Sequence, residues 1–372
     1  MPLMRLIKYE RTKMSELVPL TADEYGAYYN GTAVSATRTH QNGMLDIPKG
    51  IELNAATPKA DCHLTGYYSD YGAGLIGVYG DYETPSAGVK AAGGISMLSH
   101  VGEYVYTDKD SEKHVGQKVD DYYATKFARL FLDNAGSSVG MGINSATDCH
   151  TRCDRILYDQ VLQKTIPNGV VPWGFSFSDS HNDTSINDAF TVHMMPTQNT
   201  GAMRTSMEKG QFFAVAHYSY GYELNGMSEL PENFVPDAER NDTPIVTSIR
   251  VDEENDKITV TGKNFNCITW VSNGNVILRE SVSDGTATLD LHSSSLLNDP
   301  YLYVRFYITG NAGICYANPM VLHVKGEEFT KVDVPTVNDT PAKLRKLVTI
   351  LDKLIFQHSI FVRIFKKLAA GY

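Results

Sequence analysis

Apolar and polar positions follow two different patterns along this chain. Between about residues 32 and 220, short apolar runs are separated by longer stretches in which apolar residues recur every three to four positions. The short runs predict strands at residues 34–37, 50–53, 63–67, 95–98, 141–144 and 170–177, and the longer stretches predict helices at 118–135 and 155–164. This alternation predicts an α/β domain, layered or barrel-like, with functional side chains on the loops that follow its strands.

The pattern changes after a cluster of Pro, Asn, Asp and Glu at residues 231–244, which reads as a domain boundary. Beyond it, strand-like runs lie close together with Asn-Gly, Asp-Gly and Gly-Asn turn signals between them. They fall at residues 245–252, 257–262, 268–271, 286–291, 301–309 and 320–324. We therefore predict a first domain over residues 1–230 and a small, Ig-like β-sandwich domain over residues 244–326.

The last segment, residues 340–370, predicts a basic amphipathic helix outside both domains. It starts with Asp339-Thr340-Pro341, a helix cap followed by proline, and then carries apolar residues at helical spacing among Lys and Arg. Such a helix can lie on an anionic membrane surface or dock a partner. It can equally pack on the β-module or self-associate, and the sequence leaves these alternatives open.

Composition narrows the class of protein. The chain has 372 residues, of which 42% are apolar and 20% charged, so it can build a sizeable core. Its formal charge of −10 argues against nucleic acid as the main partner, which would need a basic face. The odd count of five cysteines favours reduced thiols, and the sequence shows neither a signal peptide nor a membrane-length apolar run. We expect a cytoplasmic protein.

Histidine and carboxylate side chains recur at the ends of the predicted strands. Ligands gathered at one edge of a sheet or barrel can hold divalent cations, and mixed His and carboxylate sets are typical of metals used in hydrolysis. Asp179 and His181, two positions apart, would point the same way. The predicted metal ligands are His40, Glu52, His63, His100, Asp179 and His181.

Five of these segments, in chain order, resemble motifs of the PHP (polymerase and histidinol phosphatase) superfamily of metal-dependent phosphoesterases. They are Thr39-His40-Gln41-Asn42, Gly50-Ile51-Glu52, Cys62-His63-Leu64-Thr65-Gly66, Gly93-Gly94-Ile95-Ser96-Met97-Leu98-Ser99-His100 and Ser178-Asp179-Ser180-His181. Residues 208–214 also resemble the stretch before an appended β-domain in one branch of that family. The resemblance implies a PHP-type (β/α) barrel-like domain that binds Mn²⁺, Zn²⁺ or Fe²⁺.

Two departures from the family pattern weaken the expected site. The family opens with a strand ending in His-x-His, and no histidine precedes His40 here, as if the domain were shortened at its N-terminus. Gly142 stands where the family has a carboxylate, which leaves Asn144 as a weak oxygen donor. The resemblance therefore implies one or two bound metals rather than three, and weak activity.

The expected reaction is hydrolysis of a phosphorylated small molecule by water that a metal activates, with His100 and His181 nearby. Arg38 and Arg155 are candidates for gripping the phosphate, although either can be a surface or structural arginine. The alternative is a degenerate PHP-fold protein without catalysis, serving as a binding or structural module. The missing ligands favour this alternative, and the intact Glu52, His100 and Asp179 segments favour the enzyme.

Overall fold

The computed structural model describes residues 50–54, 63–69, 71, 82–105, 116–145, 153–180, 188–218, 242–292, 302–323 and 326–337. Within these ranges the chain forms three sheets and four α-helices. The helices are α1 (Glu83–Ala91), α2 (Asp121–Asp133), α3 (Asp154–Thr165) and α4 (Thr200–Lys209). The predicted strand at 34–37 and the predicted helix at 340–370 lie outside the described residues.

The first sheet has five strands in chain order. They are β1 (Gly50–Asn54), β2 (His63–Tyr67), β3 (Ile95–Leu98), β4 (Ser138–Ser145) and β5 (Trp173–Phe177). The β1–β2 and β2–β3 pairs are antiparallel, whereas β3–β4 and β4–β5 are parallel. Parallel neighbours need a crossover, and α2 and α3 supply the two crossovers and pack against each other. The carboxyl ends of β3, β4 and β5 therefore meet at one edge of the sheet.

The second sheet has seven strands and draws on both sides of the predicted domain boundary. It contains β6 (Ala189–His193), β7 (Phe212–Ala216), β10 (Cys267–Ser272), β11 (Asn275–Ser281), β13 (Tyr303–Gly310), β14 (Gly313–Ala317) and β15 (Met320–Val321). Strand β7 pairs with β14 in antiparallel register, with Val215 opposite Cys315. The β-rich region is thus continuous with the chain that follows the first sheet.

A third sheet of three strands covers one face of the seven-stranded sheet. It consists of β8 (Ile245–Asp252), β9 (Lys257–Lys263) and β12 (Thr286–Asp290). Val260 and Leu289 from this sheet share a buried cluster with Trp270 and Phe306 of the larger one. Side chains alternate along a strand, so the intervening Tyr303 and Tyr307 of β13 face a second core that includes α2 and α3. Both faces of β13 are buried.

The predicted PHP-type (β/α) barrel is wrong. Such a barrel needs successive parallel strands joined by helices until the sheet closes on itself. In the described ranges β1, β2 and β3 are antiparallel neighbours, the five-stranded sheet ends at β1 and β5, and strands outnumber helices. Within these ranges, parallel strands joined by helices are confined to the segment from β3 to β5. The observed fold is a sheet-rich arrangement of three open sheets.

A buried ion pair joins the helical layer to the seven-stranded sheet. The Arg305 guanidinium on β13 donates to both carboxylate oxygens of Asp159 on α3, at 2.9 and 2.6 Å, and the Tyr303 hydroxyl donates to the same carboxylate at 2.6 Å. Both charged side chains are 2% exposed. Because the partners come from residues far apart in the chain, this contact ties the two regions together.

Candidate metal centre

Glu52, His63 and His100 converge at the edge of the first sheet where β3, β4 and β5 end. Strand β2 runs antiparallel to β3, with Leu64 opposite Leu98, so its first residue, His63, lies beside the end of β3. Strand β1 places Glu52 opposite Thr65, next to His63 on the same hairpin. Three segments that are separate in sequence thus meet in one place, as expected for ligands at the carboxyl end of parallel strands.

The distances between the three side chains fit one divalent cation. The Nδ1 atom of His63 lies 3.1 Å from Nε2 of His100 and 3.2 Å from Oε1 of Glu52. All three ligand atoms lie within 4.8 Å of one another. With metal–ligand bonds of about 2.0–2.1 Å, the ligand atoms of a tetrahedral site are roughly 3.3 Å apart. The cluster can therefore hold a metal ion.

The exposed fraction of the side chain increases from His100 to His63 to Glu52. The side chain of His100 is 3% exposed, that of His63 is 30% exposed and that of Glu52 is 45% exposed. The protein encloses the cluster on the His100 side and leaves it accessible on the Glu52 side. Catalytic metal sites keep one position open for water or substrate, whereas structural sites are closed by four protein ligands.

Asp179 lies at the border of this cluster. Its Oδ2 atom is 4.0 Å from Nε2 of His100. Both residues have left-handed backbone conformations, with φ of 46° at Asp179 and 27° at His100. Such conformations are uncommon outside glycine and concentrate at functional sites. They interrupt the alternation of side chains just after β3 and β5, where the two side chains approach each other.

Hydrogen bonds with neighbouring residues fix the positions of His63 and His100. The backbone N–H of Ser99 donates to the carbonyl of His63 at 2.9 Å, and the hydroxyls of Ser99 and Thr65 are 3.1 Å apart. The backbone N–H of His63 donates to the Tyr82 hydroxyl at 3.4 Å. The His100 ring also packs near Phe177, with 6.3 Å between ring centroids. The two imidazoles are therefore positioned by the sheet itself.

Asn144 is not the oxygen donor that the sequence suggested. It is fully buried, its amide N–H donates to the carbonyl of Tyr218 at 2.9 Å, and its side-chain oxygen accepts from Arg155 at 3.3 Å. The register of β4 against β5 shifts between Gly142 and Asn144, as in a β-bulge. Asn144 therefore serves the packing behind the sheet edge.

Arg155, one of the two candidates for gripping the phosphate, is also buried behind this edge of the sheet. Arg155 is 1% exposed, and its guanidinium donates to the carbonyl of Ile143 at 2.9 Å and lies 5.2 Å from the ring centroid of Tyr316. These contacts make it the structural arginine of the two readings. The other predicted residues, Arg38, His40 and His181, lie outside the described residues.

The Phe177 ring fills the space beside Gly142, so a side chain at position 142 would clash with it. A methyl group at position 142 would lie 2.5 Å from Cε1 of Phe177 and 3.4 Å from the backbone nitrogen of His100. We expect Gly142→Ala to lower the free energy of unfolding by about 1–3 kcal/mol, because the Phe177 ring must move. Urea unfolding measures this, and adding Phe177→Leu should recover most of the loss. Unchanged stability in Gly142→Ala would contradict the packing described here.

Comparison with known proteins gives no family for this chain. No protein-family model matches it, and no curated protein matches it either. Among the helices in the described part of the chain, none combines the length and the apolar character needed to cross a bilayer.

Proposed function

We propose that this protein is a metal-dependent hydrolase of phosphate esters. The observation that carries the proposal is the convergence of Glu52, His63 and His100 within 4.8 Å at the edge of a sheet, with Asp179 beside them. Two imidazoles and one carboxylate form a donor set used by hydrolytic zinc sites, and imidazole also suits iron. Zn²⁺, Fe²⁺ and Mn²⁺ are the candidate metals.

The choice of phosphate esters rests on the motif resemblance, independently of the barrel. The segments around Glu52, His63, His100 and Asp179 occur in the order found in the PHP phosphoesterases. The exposed side of the centre, next to Glu52, gives room for a small phosphorylated molecule.

Each residue has a distinct part in the proposed reaction. Neutral His63 and His100 would supply nitrogen ligands, and Glu52 would add a negative charge that offsets the charge of the cation. Asp179 would bring a second carboxylate to the same edge, able to orient an incoming water molecule. A divalent cation held there supplies Lewis acidity, which lowers the pKa of water and neutralises negative charge on the phosphoryl group.

The test combines metal binding with turnover. Metal that binds only the folded protein stabilises it, by about 2.7 kcal/mol at a concentration 100 times the dissociation constant. We expect Zn²⁺, Mn²⁺ or Fe²⁺ to raise the melting temperature, and weak phosphate release from 4-nitrophenyl phosphate that a chelator abolishes. Unchanged melting with all three metals would refute the proposed site. Metal binding without phosphate release would favour the alternative, a degenerate protein that binds metal without catalysis.

A further inference from the structure

An apolar cavity of about 250 Å³ lies on the face of the first sheet opposite its crossover helices. Strands β2, β3, β5 and β6 and helix α4 form its walls. Aromatic and thioether side chains dominate the lining, namely Met97, Phe175, Phe177, Phe190, Met203 and Met207. An apolar cavity of about 150 Å³ is large enough to bind benzene. This cavity therefore has room for one substituted aromatic ring.

The cavity adjoins the candidate metal centre. Phe177 lines the cavity and packs near the His100 ring, and Ser178, also in the lining, precedes Asp179. Tyr67 in the cavity wall shares one face of β2 with His63, because the two are four residues apart on a strand. The pKa of the Tyr67 hydroxyl is raised to about 12, chiefly by burial and also by the charge of Glu52, while a hydrogen bond with Thr65 acts in the opposite direction. The cavity and the candidate metal centre thus have the Phe177 ring as a common neighbour.

His193 is one of the residues that line this cavity. Its Nδ1 atom lies 3.0 Å from the Ser206 hydroxyl, which donates its own proton to the carbonyl of Gln211 at 2.7 Å. Nδ1 must therefore carry the ring proton and donate to Ser206, which leaves Nε2 as an acceptor. Burial lowers the pKa of His193 to about 4, so the ring is neutral at physiological pH.

We propose that this cavity binds the aromatic ring of an aryl phosphate whose phosphate lies at the metal centre, and that His193 Nε2 accepts a hydrogen bond from a hydroxyl or N–H group on that ring. The identification of the substrate rests on the proposed function, whereas ring binding by the cavity does not. Apolar walls favour the ring, and an acceptor on His193 adds a hydrogen bond that a ring without a donor cannot make.

The first experiment measures ring binding without metal or turnover. Phenol and toluene have similar size, but only phenol has a donor. Titrated into the full chain with labelled histidine and methionine, phenol should shift the NMR signals of His193 and Met203 and bind about tenfold more tightly than toluene. In His193→Phe the two ligands should bind equally, and in Met203→Phe, which fills the cavity, neither should bind. His63→Ala should retain the preference for phenol.

Equal binding of phenol and toluene to the unmodified protein, or no shift at His193 and Met203, would overturn the cavity proposal.

The second experiment compares 4-hydroxyphenyl phosphate with 4-methylphenyl phosphate. The first should have a kcat/KM about tenfold higher, and His193→Phe should remove the difference. Ring binding without any phosphate release would leave the cavity supported and refute the proposed reaction, so the two failures are distinguishable.

Discussion

Replacing His63 with alanine is expected to abolish both the metal-dependent rise in melting temperature and any phosphate release. Nδ1 of His63 is the atom that lies within 3.2 Å of both other ligands, so its loss leaves Glu52 and His100 without a common third ligand. The side chain is 30% exposed, and the metal-free variant should therefore fold and melt close to the unmodified protein. Differential scanning fluorimetry with and without Zn²⁺ measures the first effect, and a phosphate assay measures the second.

His292→Ala is the matched control for this experiment. His292 is 76% exposed and forms an ion pair with Asp256 on the three-stranded sheet, away from the metal centre. Its replacement should preserve the full metal-dependent shift, and so should a surface substitution elsewhere on that sheet. If His63→Ala retains the shift while still folding, the metal binds to other residues and the assignment fails.

Arg305→Met is expected to cause the largest loss of stability among single substitutions at polar residues of the described chain. The carboxylate of Asp159 would remain buried without the guanidinium that neutralises it, and breaking a buried ion pair in this way costs about 3–5 kcal/mol. Urea unfolding followed by circular dichroism measures the change. The loss should lower the urea midpoint of both sheets, because Asp159 lies on α3, a crossover helix of the first sheet, and Arg305 lies on β13 of the second.

Replacing all three partners should restore most of this stability. The variant Asp159→Leu, Tyr303→Phe, Arg305→Met removes the two charges and the hydroxyl of this contact together, and hydrophobic replacements of buried ion pairs are often neutral or stabilising. Leaving Tyr303 unchanged would strand its hydroxyl, which now donates to Asp159. A triple variant as unstable as Arg305→Met would show that the loss comes from packing rather than from the stranded charge.

Local structure could be predicted from the sequence where the apolar pattern was strong. The predicted strands at 63–67, 95–98 and 245–252 have the bounds found in the structure, and the predicted helix at 155–164 differs from α3 by one residue at each end. These segments have continuous apolar runs or clear periodicity, and both patterns indicate a strand or a helix without knowledge of the fold. Helix α4 was missed although Asn199 caps it and Gly210 ends it in a left-handed conformation.

Strand pairing could not be predicted in the same way. An apolar strand has the same composition whether its neighbour is parallel or antiparallel, so nothing in the pattern marked β1–β2–β3 as antiparallel. Residues 208–214 were interpreted as part of a family motif, and strand β7 (Phe212–Ala216) was not predicted. Its pairing with β14 joins residues about a hundred positions apart. Pairing over such separations is decided by the packing of the whole molecule, and the barrel prediction was wrong at this step.

The candidate site was predicted in part because strand ends gather at sheet edges whatever the pairing. This placed Glu52, His63, His100 and Asp179 together even though the barrel is absent. For Arg155 the sequence left both a phosphate-binding and a structural role open, because the helical pattern of α3 gave no sign of which side chains are enclosed. His193 ends a short strand and belongs to no motif, so only the fold could reveal its role.

The most direct test of the central claim is anomalous diffraction from crystals of the full chain grown with Zn²⁺. We expect one strong anomalous peak within about 2.0–2.2 Å of Nδ1 of His63, Nε2 of His100 and a carboxylate oxygen of Glu52. Crystals of His63→Ala grown in the same way should lack that peak. Zn²⁺ bound elsewhere, with no anomalous density among Glu52, His63 and His100, would contradict the proposed metal centre.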